Sequence, residues 1–331
     1  ARSYANNFDC MELEKALDYC HLRNCKAYIT VNTLVFDKEF EELSNYLLFL
    51  SKAGADAVIV QDLGVVALIL EKYPELPIHA STQMSVHNSA GVKALEEHNI
   101  KRVVLARELS KNDIAEIADT TNTELEIFAH GAMCMSYSGQ CLMSSMLGGR
   151  SGNRGKCAQP CRLPYRITGS REEKFYLSLK DMSLLNHLAE LQNIGITSLK
   201  LEGRMKGAAY VAAVVQTYRR CLDSGTPPSD DDLRLLNSVF FRGGYSDGYL
   251  TAQTGRKMFA FDKPDNPYQR EDNENTKKLL KTFVNTENVF RKLEGRLVVT
   301  SGQFPIIHWK CDNFTISHIG SEVVQMAQQR P

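Results

Sequence analysis

One β–α–β unit can be read directly from residues 57–81, whose sequence is AVIVQDLGVVALILEKYPELPIHAS. Its first four residues are apolar without alternation, which is typical of a strand buried on both faces of a parallel sheet. Apolar residues then recur at helical spacing over 63–72, and Pro77 opens a second short apolar run. The segment therefore predicts strands at 57–61 and 77–81 that are joined by a helix over 63–72.

The same alternation extends in both directions along the chain. Further strands are predicted at 27–32, 102–106, 124–130, 175–179 and 198–202. Helices are predicted at 11–23, 38–52, 88–98, 111–119, 182–193 and 208–222. This pattern predicts an α/β fold, a TIM-like (β/α)8 barrel that lacks its first strand and helix in this chain. Such a barrel would have open edges at 27–32 and 198–202, so we expect the chain to associate through them.

Polar side chains stand at or just past the ends of the predicted strands. They are Asn32, Gln61, His79, Gln83, Arg107, His130, Lys180, Glu202 and Arg204. In a barrel these positions converge on one face, where active sites are built. Polar residues also begin loops and cap helices, so one such residue means little, but a set after every strand predicts a substrate site.

Four cysteines fall within 28 residues, with the spacing C-x6-C-x15-C-x3-C: Cys134, Cys141, Cys157 and Cys161. Clustered thiols in a chain without a secretory signal usually bind a metal or a cluster. By count, four thiolates suit a 4Fe–4S cluster or zinc. The first pair is too widely spaced for a zinc knuckle, which favours iron–sulfur and leaves zinc as the alternative. The other five cysteines are scattered and are interpreted as ordinary reduced thiols, with Cys221 as the alternative to Cys161 for the fourth ligand.

The cysteine segment is also basic. Residues 142–174 contain seven Arg or Lys and two Glu. The surplus positive charge, which includes Arg150, Arg154 and Arg162, could bind phosphate or carboxylate, or could offset the charge of a thiolate-ligated cluster. Both interpretations remain open at this point.

Length, charge and the distribution of apolar residues limit the classes of protein to which this chain can belong. The chain has 331 residues with 39 Lys+Arg and 39 Asp+Glu, so overall charge gives no argument for nucleic acid. It has no apolar run long enough to span a membrane and opens with no signal-peptide pattern, so we expect a cytoplasmic protein without membrane contact. Residues 1–255 are interpreted as the barrel, 256–294 as a linker or helical segment, and 295–331 as a partial β module with strands at 296–300 and 304–309.

The cysteine blocks carry a family resemblance. They read His130-Gly-Ala-Met-Cys134, Tyr137-Ser-Gly-Gln-Cys141 and Asn153-Arg-Gly-Lys-Cys157-Ala-Gln-Pro-Cys161-Arg-Leu-Pro-Tyr165. These blocks closely resemble the signature of the collagenase-like peptidase family U32. Shorter blocks agree, among them His79-Ala-Ser-Thr-Gln83 and Lys200-Leu-Glu-Gly-Arg204, and the resemblance covers about residues 1–255.

The resemblance implies a function that composition and spacing do not. The chain is most similar to the family branch for prephenate-dependent hydroxylation of tRNA or rRNA, whose members carry a 4Fe–4S cluster on cysteines. It implies an RNA hydroxylation enzyme, foremost for 5-hydroxyuridine in tRNA, with prephenate as the small anionic co-substrate and a possible homo- or hetero-oligomer.

Within this hypothesis the candidate residues have separate roles. The four clustered cysteines are the cluster ligands. Arg107, Arg162 and Arg204 are candidate carboxylate clamps, because guanidinium binds carboxylate in a bidentate fork. His130 is the candidate for proton transfer, and Glu202 completes the catalytic set. Asn32, Gln61, His79, Gln83, Arg150, Arg154, Arg162 and Lys180 are the candidate substrate-binding residues.

Two other classes of function stay open. The family name implies a peptidase acting on collagen-like peptides, although the sequence contains no H-E-x-x-H helix and no G-x-S-x-G elbow. A zinc-stapled binding module is the second alternative.

Overall fold

The structure, a computed structural model, describes residues 7–204, 206–262, 278, 281–282, 293–311 and 314–323. The chain divides into two units, Ala1–Leu280 and Lys281–Pro331. The first contains the α/β fold and the second a small antiparallel sheet.

Helices and strands alternate through most of the first unit, as the sequence predicts. The helices are α1 (Cys10–His21), α2 (Phe40–Lys52), α3 (Leu63–Lys72), α4 (Ser89–Glu97), α5 (Lys111–Ala118), α6 (Met143–Gly148), α7 (Leu188–Ile194), α8 (Ala208–Ser224) and α9 (Asp230–Val239). The strands are β1 (Tyr28–Val31), β2 (Ala57–Val60), β3 (Ile78–Ala80), β4 (Arg102–Val104), β5 (Glu124–Ala132), β6 (Tyr165–Arg166), β7 (Glu173–Lys174), β8 (Asp181–Ser183), β9 (Ser198–Leu201) and β10 (Tyr245–Ser246).

The central sheet is mostly parallel, which confirms the predicted α/β class. Strands β1 to β5 are neighbours in sequence order, each parallel to the next. The long strand β5 then pairs in parallel with β9 and, through its last residues, antiparallel with β8, to which β10 adds. Among the described residues, β1 pairs only with β2 and β9 only with β5, so each of these two strands has one edge without a strand partner.

Polar residues between the strands and the helices cap the N-termini of the helices. Asp62 ends the segment after β2, and its carboxylate accepts hydrogen bonds from the N–H groups of Gly64 and Val65 at the start of α3. Asn88 and Ser110 cap α4 and α5 in the same way. A side-chain cap satisfies N–H groups that have no partner within the helix, and this fixes where each helix begins.

A network of charged side chains connects β4, β5 and β9. The Glu126 carboxylate on β5 accepts hydrogen bonds from Lys200 Nζ at 2.7 Å, Ser198 Oγ at 3.0 Å and Arg102 Nη1 at 3.2 Å. Glu126 is only 5% exposed. Burial alone would raise the pKa of Glu126, but Lys200, Ser198 and Arg102 outweigh burial and lower it. The carboxylate is therefore the charged partner of Lys200 and shares Arg102 with Glu124.

The predicted strand at 175–179 is wrong. These residues form a turn, and the strand begins six residues later than predicted, at Asp181, antiparallel to β5. The backbone N–H groups of Phe175 and Lys180 instead donate to the carbonyls of Phe261 and Met258, each at 2.8 Å. Because 181–183 is strand, the helix predicted at 182–193 begins only at Leu188.

The second unit contains three antiparallel strands: β11 (Glu294–Val298), β12 (Ile306–Cys311) and β13 (Phe314–Ile319). The first two overlap the strands predicted at 296–300 and 304–309, whereas β13 was not predicted. Most of the predicted segment 256–294 lies outside the described residues. No helix in the described parts of the chain is long and apolar enough to cross a membrane.

Candidate functional site

The four clustered cysteines lie beside residues at the ends of the sheet strands. Cys134 follows β5 by two residues, and Cys141 stands just before α6. Cys157 and Cys161 belong to the loop that precedes β6, with Cys161 in a single 3-10 turn. Two cavities open here and share Arg107, Cys134, Cys157, Glu202 and Arg204 on their walls.

The inner cavity, of about 210 Å³, is formed by the strand ends and the loop after β5. Thr30, Asn32 and Lys200 contribute from the strands and their ends, and Tyr137 and Cys141 from the loop. The outer cavity, of about 330 Å³, has a different character because its wall carries five cations and one carboxylate. The cations are Arg107, Arg162, Arg204, Lys206 and Arg242, and the carboxylate is Glu202.

Two glycines allow the chain segments at this site to approach closely. Gly131, in β5, has φ of +117°, and a Cβ there would come within 2.8 Å of the backbone and side chain of Glu202. Gly139 has φ of +79°, and its Cβ would stand 2.3 Å from the carbonyl oxygen of Gln83. Both positions need glycine for conformation and for space, so β5 lies directly against the residue after β9, and the cysteine loop lies against the turn after β3.

Arg162 ties the second cysteine pair to the first. Its half-buried guanidinium donates to the carbonyl oxygens of Met133 and Leu179 and to Ser178 Oγ. Met133 precedes Cys134, and Arg162 follows Cys161, so one side chain links the segments that carry these two thiols. Burial, together with the nearby Arg242, lowers the pKa of Arg162. We predicted Arg162 as a carboxylate clamp, but the guanidinium is engaged in bracing the loops.

The thiols fit an iron–sulfur group by their donors and surroundings. The N–H of Gln159 donates to Cys157 Sγ at 3.3 Å, and backbone N–H groups of Ser136 and Met135 donate to Cys134 and Cys161. Burial raises the pKa of both Cys134 and Cys161, and the neighbouring thiols raise it further. N–H···S bonds are among the contacts by which proteins tune iron–sulfur clusters. Within the described residues, no three His, Cys, Asp or Glu side chains converge closely enough to hold a single metal ion.

The structure brings about half of the remaining predicted residues to these cavities. Asn32 and Gln83 line the inner cavity, Arg162 the outer one, and Arg107, Glu202 and Arg204 line both. Gln61, His79, His130, Arg150, Arg154 and Lys180 are not on the walls of either cavity.

Four of these six residues, His130, Arg154, His79 and Gln61, contact other parts of the chain. His130 is 1% exposed and packs among the rings of Tyr210, Tyr218 and Tyr245, where burial lowers its pKa to about 4. Arg154 is bound to the Glu39 carboxylate at 2.6 and 2.8 Å, which neutralises the positive charge predicted to meet RNA.

Two further predicted residues make contacts away from the cavities, His79 in the protein interior and Gln61 with the glycine-rich loop. His79 is buried, with its ring 4.7 Å from that of Tyr28. Gln61 donates to the carbonyl oxygen of Asn153 at 3.1 Å and so holds the glycine-rich loop.

Several cavity residues were missed by sequence reasoning. Lys200 could have been found from strand alternation, because it shares a face with Ser198 and with the predicted Glu202. Lys206 and Arg242 come from loops after β9 and α9, and no local pattern places them together. Tyr137 is part of the quoted Tyr-Ser-Gly-Gln-Cys block, but a tyrosine in a loop does not by itself indicate a cavity wall.

The comparison with protein families is decisive at this point, because residues 1–259 match peptidase family U32. The chain belongs to family U32. The family resemblance predicted from the cysteine blocks is therefore confirmed.

Three relatives show how varied the names within U32 are. The tRNA hydroxylation protein P1 of Bacillus subtilis is 36% identical over 67% of this chain and 56% of its own length. The 23S rRNA 5-hydroxycytidine C2501 synthase of Escherichia coli is 34% identical over 80% of this chain and 42% of its own length. A collagenase of Porphyromonas gingivalis is 30% identical over 76% of this chain and 66% of its own length. The U32 chain described here thus spans about half the length of the first two relatives.

Proposed function

We propose that this U32 protein hydroxylates a pyrimidine base in RNA without O2, foremost uridine in tRNA, using a 4Fe–4S cluster. Cys134, Cys141, Cys157 and Cys161 would hold the cluster. The observation that carries the proposal is the position of these thiols on the walls of two adjoining cavities of different chemistry. Relatives named for tRNA hydroxylation and for rRNA 5-hydroxycytidine synthesis support RNA as the substrate class.

The inner cavity is the proposed base site. A base inside a duplex is out of reach, so enzymes that act on bases take the nucleotide out of the stack or use unpaired RNA. The inner cavity offers amide and hydroxyl groups from Asn32, Gln83 and Thr30, and it reaches the thiols of Cys134, Cys141 and Cys157. A bound 4Fe–4S cluster would supply electron transfer to chemistry at this position.

The outer cavity is the proposed site of the small anionic co-substrate, for which prephenate is our candidate. Arg107 and Arg204 lie on the wall shared with the base site and can each present a guanidinium fork to a carboxylate. Arg242 is partly neutralised by Asp181 at 2.7 Å, and Arg162 is engaged with the loops. Lys206, whose ammonium group lies over the ring of Phe240, is the one lysine on this wall.

Lys206 gives the proposal a pH signature. Burial, reinforced by Arg242 and Arg162, lowers the pKa of Lys206 to about 8. Lysine is charged below its pKa, so prephenate should bind more weakly as the pH rises from 7 to 9, by up to about tenfold. Isothermal titration over this range checks the prediction. Lys206→Arg should remove the pH dependence while binding stays tight, because guanidinium stays charged, and Lys206→Met should bind weakly at every pH. A wild-type affinity that does not change with pH would contradict the assignment.

The test of the proposed function is nucleoside analysis in cells. Digested tRNA and rRNA from a strain that lacks the gene should have lost one hydroxylated pyrimidine, and the intact gene should restore it. A gene encoding Cys157→Ala should not restore it. Loss of 5-hydroxycytidine from rRNA would replace the tRNA assignment but keep the reaction class. Unchanged nucleosides in both RNA classes would overturn the proposal.

Purification tests the cofactor and the two alternatives. Protein purified without air should be brown and contain iron and sulfide. A colourless protein with stoichiometric zinc would favour the zinc-stapled module. The relative named collagenase keeps peptidase activity as the other candidate. Cleavage of gelatin by the pure protein, lost on Cys157→Ala, would favour that function over RNA hydroxylation.

A further inference from the structure

An exposed aromatic ring stands at the entrance of the inner cavity. Tyr137 lines that cavity, yet 63% of the residue is exposed to solvent. Within the described residues its hydroxyl group makes no hydrogen bond, so burial of a polar group does not explain its position. The loop that carries it lies between Cys134 and Cys141, the first two of the clustered cysteines.

The loop around Tyr137 is held firmly from below. Ser138 Oγ donates to Glu108 Oε1 at 3.1 Å, and the carbonyl oxygen of Ser138 accepts from Ser85 Oγ. Gln140 Nε2 donates to Ser85 Oγ at 2.8 Å. Gly139 is seated so close to Gln83 that no side chain would fit between them. Three successive residues, Ser138, Gly139 and Gln140, are therefore held in place directly after Tyr137.

A second ring sets the orientation of Tyr137. The ring of His87 lies 5.6 Å from that of Tyr137 at an interplanar angle of 72°. His87 is itself positioned by its Nδ1, which lies 2.7 Å from the carbonyl oxygen of Ser85. Its Nε2 lies 3.3 Å from Glu108 Oε2 but makes no hydrogen bond with it. A ring that is oriented before its ligand arrives loses little conformational entropy on binding, which is the arrangement that stacking surfaces use.

The cavity behind the ring contains an unsatisfied acceptor. Gln83 lines the inner cavity, and its Oε1 atom is buried without a hydrogen-bond partner among the described residues. Rotation of the Gln83 amide toward the cavity would allow this oxygen to accept from the imide N–H of a uracil ring. A buried polar atom without a partner is costly, so a ligand that pairs with it is favoured. An aromatic platform outside and an amide acceptor inside together match a flat, hydrogen-bonding ring.

We infer that Tyr137 is the stacking platform for the target pyrimidine, which it holds in its unstacked state at the entrance of the inner cavity. The inference rests on the proposed function, since it names the contact by which that site would select unpaired RNA. Aromatic side chains bind unpaired bases by stacking, largely independently of sequence. Tyr137 would thus act before chemistry, by positioning the base beside the thiols.

The test measures binding of a fluorescent decauridylate to the protein purified without air. Tyr137→Ala should weaken binding about tenfold, within the range found for one stacked base, whereas Tyr137→Phe should bind nearly as wild type. Tyr19→Ala is the matched control, because Tyr19 is 58% exposed on α1 and lines neither cavity. A fully paired RNA duplex of the same length should bind all four proteins alike.

The outcomes separate the platform from the function. If wild-type protein binds decauridylate and Tyr137→Ala binds equally well, the platform is wrong and the proposed function stands. If Tyr137→Phe weakens binding as much as Tyr137→Ala, the hydroxyl group is the contact and stacking is wrong. If the wild-type protein binds neither decauridylate nor duplex, the proposed RNA function itself fails. Thermal melting of each variant should be unchanged, because the ring is exposed.

Discussion

Alanine in place of Cys134, Cys141, Cys157 or Cys161, each alone, should abolish iron incorporation. A site reduced to three thiolates binds the cluster far less well, and metal sites of this kind fail when one ligand is removed. Iron analysis and the broad visible absorbance of the protein purified without air measure the effect. We expect the iron content to fall to the background of a preparation treated with chelator.

Cys221→Ala and Cys10→Ala are the controls for this series. Cys221 was the reserve candidate for the fourth ligand, but it is 3% exposed on α8, and its sulfur accepts a hydrogen bond from Arg220 at 3.2 Å. Cys10 is exposed at the start of α1. Both variants should keep full iron. If Cys161→Ala retains iron while Cys221→Ala loses it, the assignment of the fourth ligand is wrong.

Replacing Glu126 with Gln should lower the free energy of unfolding by about 3 kcal/mol, because removing one partner of a buried ion pair leaves the other charge uncompensated. The variant would leave Lys200, at 2.7 Å, facing a neutral amide, while Arg102 would keep its pair with Glu124 at 2.7 Å. Urea denaturation at neutral pH measures the difference. Arg166→Ala is the control, since its pair with Glu173 is exposed and should contribute less than about 1 kcal/mol.

The Glu126 effect should also depend on pH in one direction. The folded protein lowers the pKa of Glu126, so the carboxylate stabilises the fold above the pKa that this group has in the unfolded chain. This stabilisation is lost as the pH falls through the lowered pKa. Wild type and Glu126→Gln should therefore differ fully at pH 7 and converge in acid. A difference below 1 kcal/mol at pH 7, or one that grows in acid, would contradict this account of the network.

Much of the fold could be predicted because its signals are local. The apolar run of β2 and the helical spacing of α3 depend only on neighbouring residues, and α3 begins and ends where predicted. The strand predicted at 175–179 failed for the opposite reason. The backbone N–H groups of this segment donate to the carbonyls of Met258 and Phe261, more than 70 residues away, instead of to a neighbouring strand of the central sheet. No local pattern reveals such partners.

The site residues were predictable where they belong to a local sequence motif, and less so where their surroundings depend on contacts with distant parts of the chain. The cysteine spacing and the strand-end positions of Arg107 and Glu202 pointed to cavity walls, and they lie there. Arg154 looked free to meet a phosphate, but Glu39, 115 residues earlier, binds it. His130 is the last residue of the strand predicted at 124–130, where a cavity position was expected. Three tyrosines from later elements surround it instead. Charge pairing and burial between remote segments are decided only in the folded chain.

The edges of β1 and β9 bear on which residues can reach the inner cavity. Within the part of the chain that the structure describes, each edge presents backbone N–H and C=O groups with no strand beside them. Parallel strands end on the same side of a sheet, so a strand added in parallel to β1 would end near Asn32, and one added to β9 would end near Glu202. Both residues line the inner cavity. A strand that occupies either edge would bring its own last residues to the inner cavity, where under the proposed function it would contact the target base.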